Sequence, residues 1–192
     1  MKSKGRKLDL EMNSDSILNK WLEYYKKKEP NFSLADFNHT MTDSLNIING
    51  NVFGIFDRKF NEIYDEFLIY NSDKSQYLDF DSYSWIIDKN GEQSFSPDQE
   101  INLIDINKKT VNRIGFRGPS QWVEDAFWKN ESTIVLLENN YEKQPLISEI
   151  DLKNGIVRTF KYNDTLDFET DYTKQRFKQI RRENIILGIQ KL

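Results

Sequence analysis

The sequence predicts a mainly β fold, an antiparallel twisted sheet or a sandwich of hairpins with a helix at either end, and three observations carry that prediction. Short runs rich in β-branched and aromatic residues recur between turn signals from residue 46 to residue 162. Asn-Gly pairs stand at 49–50, 90–91 and 154–155, the dipeptide that best supplies positive φ angles to a tight hairpin. Apolar residues at three- and four-residue spacing appear on both sides of that region, near 17–25 and 172–180.

Residues 1–13 are charged and without period, which predicts a mobile tail ahead of a single domain over 14–192. Ser14 is placed to cap a helix over 14–28, with Ile17, Leu18, Trp21, Leu22 and Tyr25 on its buried stripe and Pro30 beyond its end. Lys26, Lys27 and Lys28 complement the dipole of its last turn, and they are also what an anionic surface would meet. Residues 46–48 and 52–56 flank Asn49-Gly50 as a first hairpin; 67–70 and 77–80 flank a turn-rich N-S-D-K-S; Tyr83 to Ile87 runs into an Asp88-to-Gly91 corner. The clearest strands lie between Gln121 and Tyr162, where Leu146, Ser148 and Ile150 alternate and Asn154-Gly155 turns the chain into Ile156–Phe160. Thr170 is placed to cap a second helix over about 170–182, and Ile185 to Ile189 follow as an edge strand or a docking tail.

The β region, 46–162, carries an internal echo. At an offset of 46 residues Ile104-Asp105-Ile106 falls on Ile150-Asp151-Leu152 and Val111 on Val157; at 45, Gln76-Tyr77-Leu78-Asp79 falls on Gln121-Trp122-Val123-Glu124. On that patterning, residues 65–162 resemble β-propeller blades, and G-P-S-Q-W-V-E-D-A-F-W resembles small bacterial envelope proteins of unknown function; the resemblance implies blade-like hairpins and no activity. The chain is short for the four or so blades that close a ring.

Chemistry is sparse. Cysteine is absent, and His39 has neither a second histidine nor a thiol to share a transition metal with. There is no G-x-S-x-G elbow and no glycine-rich phosphate loop, so neither a cofactor nor a nucleophile is expected. Asp79 and Asp81 alternate on a predicted strand beside Tyr77 and Tyr83; they are the candidates for an acid pair or a cation site, and an ordinary solvated strand face reads the same way. Net charge of −4, from 27 basic and 31 acidic residues, argues against nucleic acid. No stretch is long and apolar enough to span a bilayer, which suits a cytoplasmic protein, or an envelope or periplasmic one if a signal or lipid anchor has been trimmed.

Aromatic residues make up 14% of the chain, enough for large rings to fill a core and still serve a surface. Tyr83, Trp85, Trp122 and Trp128, with Arg117 and Glu124, have the composition of a protein-binding hot spot. The expectation is a non-enzymatic protein recognising another protein through an acidic, aromatic-rich sheet surface. The alternatives are a carbohydrate-active or carbohydrate-binding domain, and a propeller-like fragment completed by oligomerisation.

Overall fold

The computed structural model describes residues 8–10, 15–87 and 93–189. In chain order its elements are α1 (Ser16–Lys28), β1 (Phe37–Ser44), β2 (Ile48–Asn49), β3 (Ile69–Tyr70), β4 (Gln76–Asp79), β5 (Trp85–Ile87), β6 (Gln93–Phe95), β7 (Gln99–Asp105), β8 (Thr110–Arg117), β9 (Gln121–Asn130), β10 (Thr133–Asn140), β11 (Leu146–Asp151), β12 (Ile156–Tyr162) and α2 (Tyr172–Ile189). The fold is mainly β: two five-stranded antiparallel sheets, a two-stranded one, and a helix toward each end. The backbone gathers into two compact units, residues 1–45 with 120–170 (unit one) and 46–119 with 171–192 (unit two).

In unit one the strand order is β1-β12-β11-β10-β9, a four-stranded meander with β1 returning to pair beside β12. The Asp15 carboxylate accepts the Ile17 N–H at 2.7 Å, so Asp15 caps α1; the expected cap, Ser14, lies outside the described residues. The helix then lays Leu18, Trp21, Leu22 and Tyr25 inward. Rings do much of the packing: Phe32 stacks on Tyr25 at 4.7 Å and meets Trp21 at 5.5 Å and Tyr162 at 4.8 Å. Of the expected tail, 8–10 are described, and they dock: Leu10 is buried and Lys129 Nζ donates to the Asp9 carbonyl at 2.6 Å.

In unit two the order is β2-β8-β7-β4-β3, again a four-stranded meander with an earlier strand beside its last member. The small β5–β6 hairpin is inserted between β4 and β7, and its connecting corner, expected at 88–91, lies outside the described residues. Phe177 of α2 stacks between Phe67 at 4.4 Å and Trp85 at 4.7 Å. A buried ion pair joins Arg176 to Asp81 at 2.6 Å, with the guanidinium over the Phe80 ring.

Four local expectations need correcting. Residues 46–56 do not form a hairpin: β2 pairs with β8, and Gly50 serves a close approach in which a Cβ would press on Val111 Cγ1 at 2.9 Å and on Asn102 Oδ1. Asn154-Gly155 is not a two-residue turn, since within it only Gly155 has positive φ (63°) and the Asp151 carboxylate accepts the Asn154 N–H at 3.0 Å. Thr170 does not cap α2; Gln175 N–H bonds the Asp171 carbonyl at 3.0 Å, and the Thr170 hydroxyl is turned to Glu124. The helix itself continues through Ile189, taking in the 185–189 segment expected as strand or tail. The two meanders share the strand order of propeller blades, but two are fewer than a closed ring takes.

Candidate binding site

Strand β9 holds an irregularity that decides the chemistry of unit one. Val123 sits opposite Glu138 and Asp125 opposite Leu137, which leaves Glu124 as the extra residue of a β-bulge. The bulge turns Glu124 inward with its neighbours, and its side chain is fully buried. Four donors meet it there. Trp21 Nε1 and Tyr25 Oη donate to one carboxylate oxygen at 2.8 and 2.7 Å, Thr170 Oγ1 donates to the other at 2.7 Å, and the Trp122 indole completes the set. Trp21 and Tyr25 reach the same atom because residues four apart share one face of a helix. Tyr25 Oη in turn accepts from Asn139 Nδ2 at 2.8 Å.

Burial pushes the Glu124 carboxyl above its usual range, against the opposing pull of the bonds from Thr170, Tyr25, Trp21 and Trp122. Burial, then the Glu124 charge, pushes the Tyr25 hydroxyl well above its own, so it keeps its proton and donates. The result is an interior acid whose donors hold surrounding side chains in place.

Three of those side chains reach a cleft of about 150 Å³: Trp122, Asn139 and Thr170. Asn140, Tyr141, Lys143 and Glu169 complete its lining. Tyr141 is 71% exposed and meets the Trp122 ring edge-on with centroids 5.9 Å apart, so the two rings make a corner at the mouth. Lys143 holds a positive φ of 58° in the β10–β11 loop, where its N–H bonds the Asn140 carbonyl and its carbonyl accepts from Leu166 N–H, both at 2.9 Å.

Unit two presents a different surface. Ile47, Ile48, Phe53 and Phe116 are each 41–51% exposed. Ile48 lies across from Arg113 on the β2–β8 pair, and the Arg113 guanidinium stands 5.4 Å from the Phe116 ring. Arg113 bonds Glu100 at 2.8 Å, and Asn51 closes on the same carboxylate with its N–H at 3.0 Å and its amide at 2.5 Å. Burial works against ionisation of Glu100, but the bonds from Asn51, Arg113 and Asn102 outweigh it and hold the carboxyl below its usual range.

The expected site residues fall into both units. Trp122 and Glu124 come together as described, and Trp128, across from Ile134, is half-buried on the same strand. In unit two Trp85 is a core ring, Tyr83 lies at the surface of the preceding turn, and Arg117 folds back on the Phe116 carbonyl at 3.0 Å. Asp79 and Asp81 are not a pair facing one site, because β4 ends at Asp79. The Asp79 carboxylate takes both the N–H and the hydroxyl of Ser82 and the N–H of Asp81, while Asp81 serves Arg176. Burial nonetheless pushes the Asp79 carboxyl up. Among the described residues no group of three or more histidine, cysteine or acidic side chains is placed to hold a metal, and no helix is long and apolar enough to cross a membrane.

The sequence marks Trp21 and Tyr25 only as a helix's buried stripe and Thr170 only as a helix cap, and it gives Asn139 and Tyr141 no role. One signal was there: an acid inside the run Val123 to Phe127 breaks the alternation of a strand, as a bulge does. No family model, no curated protein and no solved structure matches the chain.

Proposed function

We propose that the chain is a non-enzymatic binding protein that recognises another protein, and that unit two carries the contact surface. The observation behind this reading is a pair of exposed apolar residues, Ile48 and Phe116, beside an arginine whose geometry is already fixed. Isolated exposed apolar side chains are ordinary, but a ring and an isoleucine beside an anchored arginine have hot-spot composition. Arg113 is held by Glu100 before any partner arrives, so little freedom is lost on binding. From Ile114 to Arg117 the outer edge of β8 has no strand paired with it among the described residues. An extended segment added there would gain main-chain hydrogen bonds, with its alternate side chains meeting Phe116. Phe116 and Ile48 are both exposed and apolar, so the fitting segment is one whose alternate side chains are apolar.

A photo-reactive residue at position 116 tests the reading in extract of the native cell. The expected result is one dominant protein adduct. The captured protein, once purified, should bind the chain at least tenfold more weakly after Ile48→Ser with Phe116→Ser. Binding indifferent to both substitutions would overturn the assignment of this surface.

A further inference from the structure

We propose that the cleft of unit one is a separate binding site for one neutral pyranose unit of a glycan. Its size sets the first limit: about 150 Å³ is well under the roughly 300–1,000 Å³ of pockets that enclose whole cofactors or drug-sized ligands, so one ring enters and the rest stays outside. Its shape sets the second. Trp122 and Tyr141 stand at 62° to one another, an apolar corner against which the C–H face of a sugar ring loses water while its hydroxyls point away.

The polar lining sets the third limit. Lys143 offers only donors and Glu169 only acceptors, and their charges cancel, which disfavours a strongly ionic ligand. Asn140 uses its carbonyl oxygen on the Gln144 N–H at 3.0 Å, leaving its NH₂ for the cleft. A hydroxyl both donates and accepts, so a polyhydroxylated ring can meet Lys143, Asn140 and Glu169 together, whereas an ammonium or a carboxylate leaves one kind of group unmatched. The floor is rigid for a reason already described: Trp122 and Thr170 donate to buried Glu124, and Asn139 to Tyr25. Glu124 is thus a positioning residue for this cleft. A floor held before the ligand arrives lowers the ordering cost of binding.

The test is an NMR titration of the 192-residue chain with the methyl glycosides of glucose, galactose and mannose, with N-acetylglucosamine, and with their short β- and α-linked oligomers. At least one should shift the Trp122 indole N–H and the side-chain amides of Asn139 and Asn140. Tyr141→Ala should weaken that binding at least tenfold and leave the remaining spectrum in place, since Tyr141 is exposed. Phe116→Ala, on the surface assigned to a protein partner, should leave it unchanged, so failure of one site is distinguishable from failure of the other. Silence of these resonances toward every sugar overturns the proposal, as does binding that survives Tyr141→Ala. A response to N-acetyl-arginine amide or to acetate in place of sugars would also overturn it and give the cleft to a charged side chain.

Discussion

Glu124 takes a carboxylate into the interior of unit one, and that single residue ties α1, β9 and the segment ending at Thr170 together. Desolvation raises its folded-state pKa, so the folded chain takes up the proton at a higher pH than the unfolded chain, whose value is about 4.3. The stability Glu124 contributes is therefore full below that unfolded value and is lost as pH rises through the folded one. Glu124→Gln keeps one acceptor but turns an NH₂ toward four donors, and should cost about 2–4 kcal/mol. Because glutamine does not titrate, the gap between wild type and variant should be widest near pH 4 and narrow toward pH 8. Urea midpoints across that range check the sign; a gap that is flat, or that widens with pH, would refute the account. Other carboxylates titrate in both proteins and cancel from the difference.

The β7–β8 and β11–β12 hairpins are close structural equivalents, and their turns show why part of the fold could be read from sequence. Ile104 pairs with Val111 and Asp105 with Thr110 in one; Ile150 pairs with Val157 and Asp151 with Ile156 in the other. Each first-strand aspartate accepts the N–H three residues on, from Lys108 at 2.8 Å and from Asn154 at 3.0 Å, and each turn ends in a left-handed residue, Lys109 (φ 52°) or Gly155 (φ 63°). Left-handed backbone costs a residue with a Cβ roughly 1–2 kcal/mol that glycine avoids, partly offset by glycine's greater freedom when unfolded. Lys109→Gly should therefore stabilise by about 0.5 kcal/mol and Gly155→Lys destabilise by about 1 kcal/mol, measured by urea unfolding; shifts of the same sign would break the equivalence. The 46-residue echo was visible because both hairpins repeat the same spacing. The 45-residue echo matched the wrong strands. β4 corresponds to β10 and not to β9, as the bonds from Ile106 N–H to the Ser75 carbonyl and from Leu152 N–H to the Ser132 carbonyl place it, at 2.9 and 2.8 Å. The β5–β6 insert displaces the period in unit two, and a fixed offset cannot follow an insert. Asn49-Gly50 misled for a related reason: a turn signal reports backbone freedom, not which strand lies opposite. Trp122 and Glu124 stood out as single residues, whereas Trp21 and Tyr25 meet Glu124 across about a hundred residues of chain, a contact that local pattern does not encode.

At the level of the whole molecule, the two units alternate along the sequence: the chain leaves unit one after β1, builds residues 46–119 of unit two, and returns to lay down β9 to β12 before 171–192 rejoin unit two. The β1–β12 pairing that closes unit one therefore joins residues 37–44 to 156–162 across the entire insert. The ring cluster of Trp21, Tyr25, Phe32 and Tyr162 and the Glu124 network lie within the segments of unit one. A chain keeping 1–45 and 120–170, with the insert replaced by a flexible linker, should consequently fold. The linker must be long. β1 and β9 are opposite edges of the sheet, four strand spacings or roughly 19 Å apart, and they run in the same direction, so the end of β1 and the start of β9 are also a strand length apart. That makes roughly 30–35 Å, matched by about thirty Gly/Ser residues, whose coil dimension is near 30 Å. The expected outcome is one cooperative urea transition whose midpoint falls on Glu124→Gln, as in the full chain. A shorter linker of about eight residues, with a reach of under roughly 30 Å, should abolish the transition by pulling β1 from β12. Folding that is indifferent to linker length would mean that β1 is dispensable, and a thirty-residue version without a transition would mean that unit one depends on the insert for its stability.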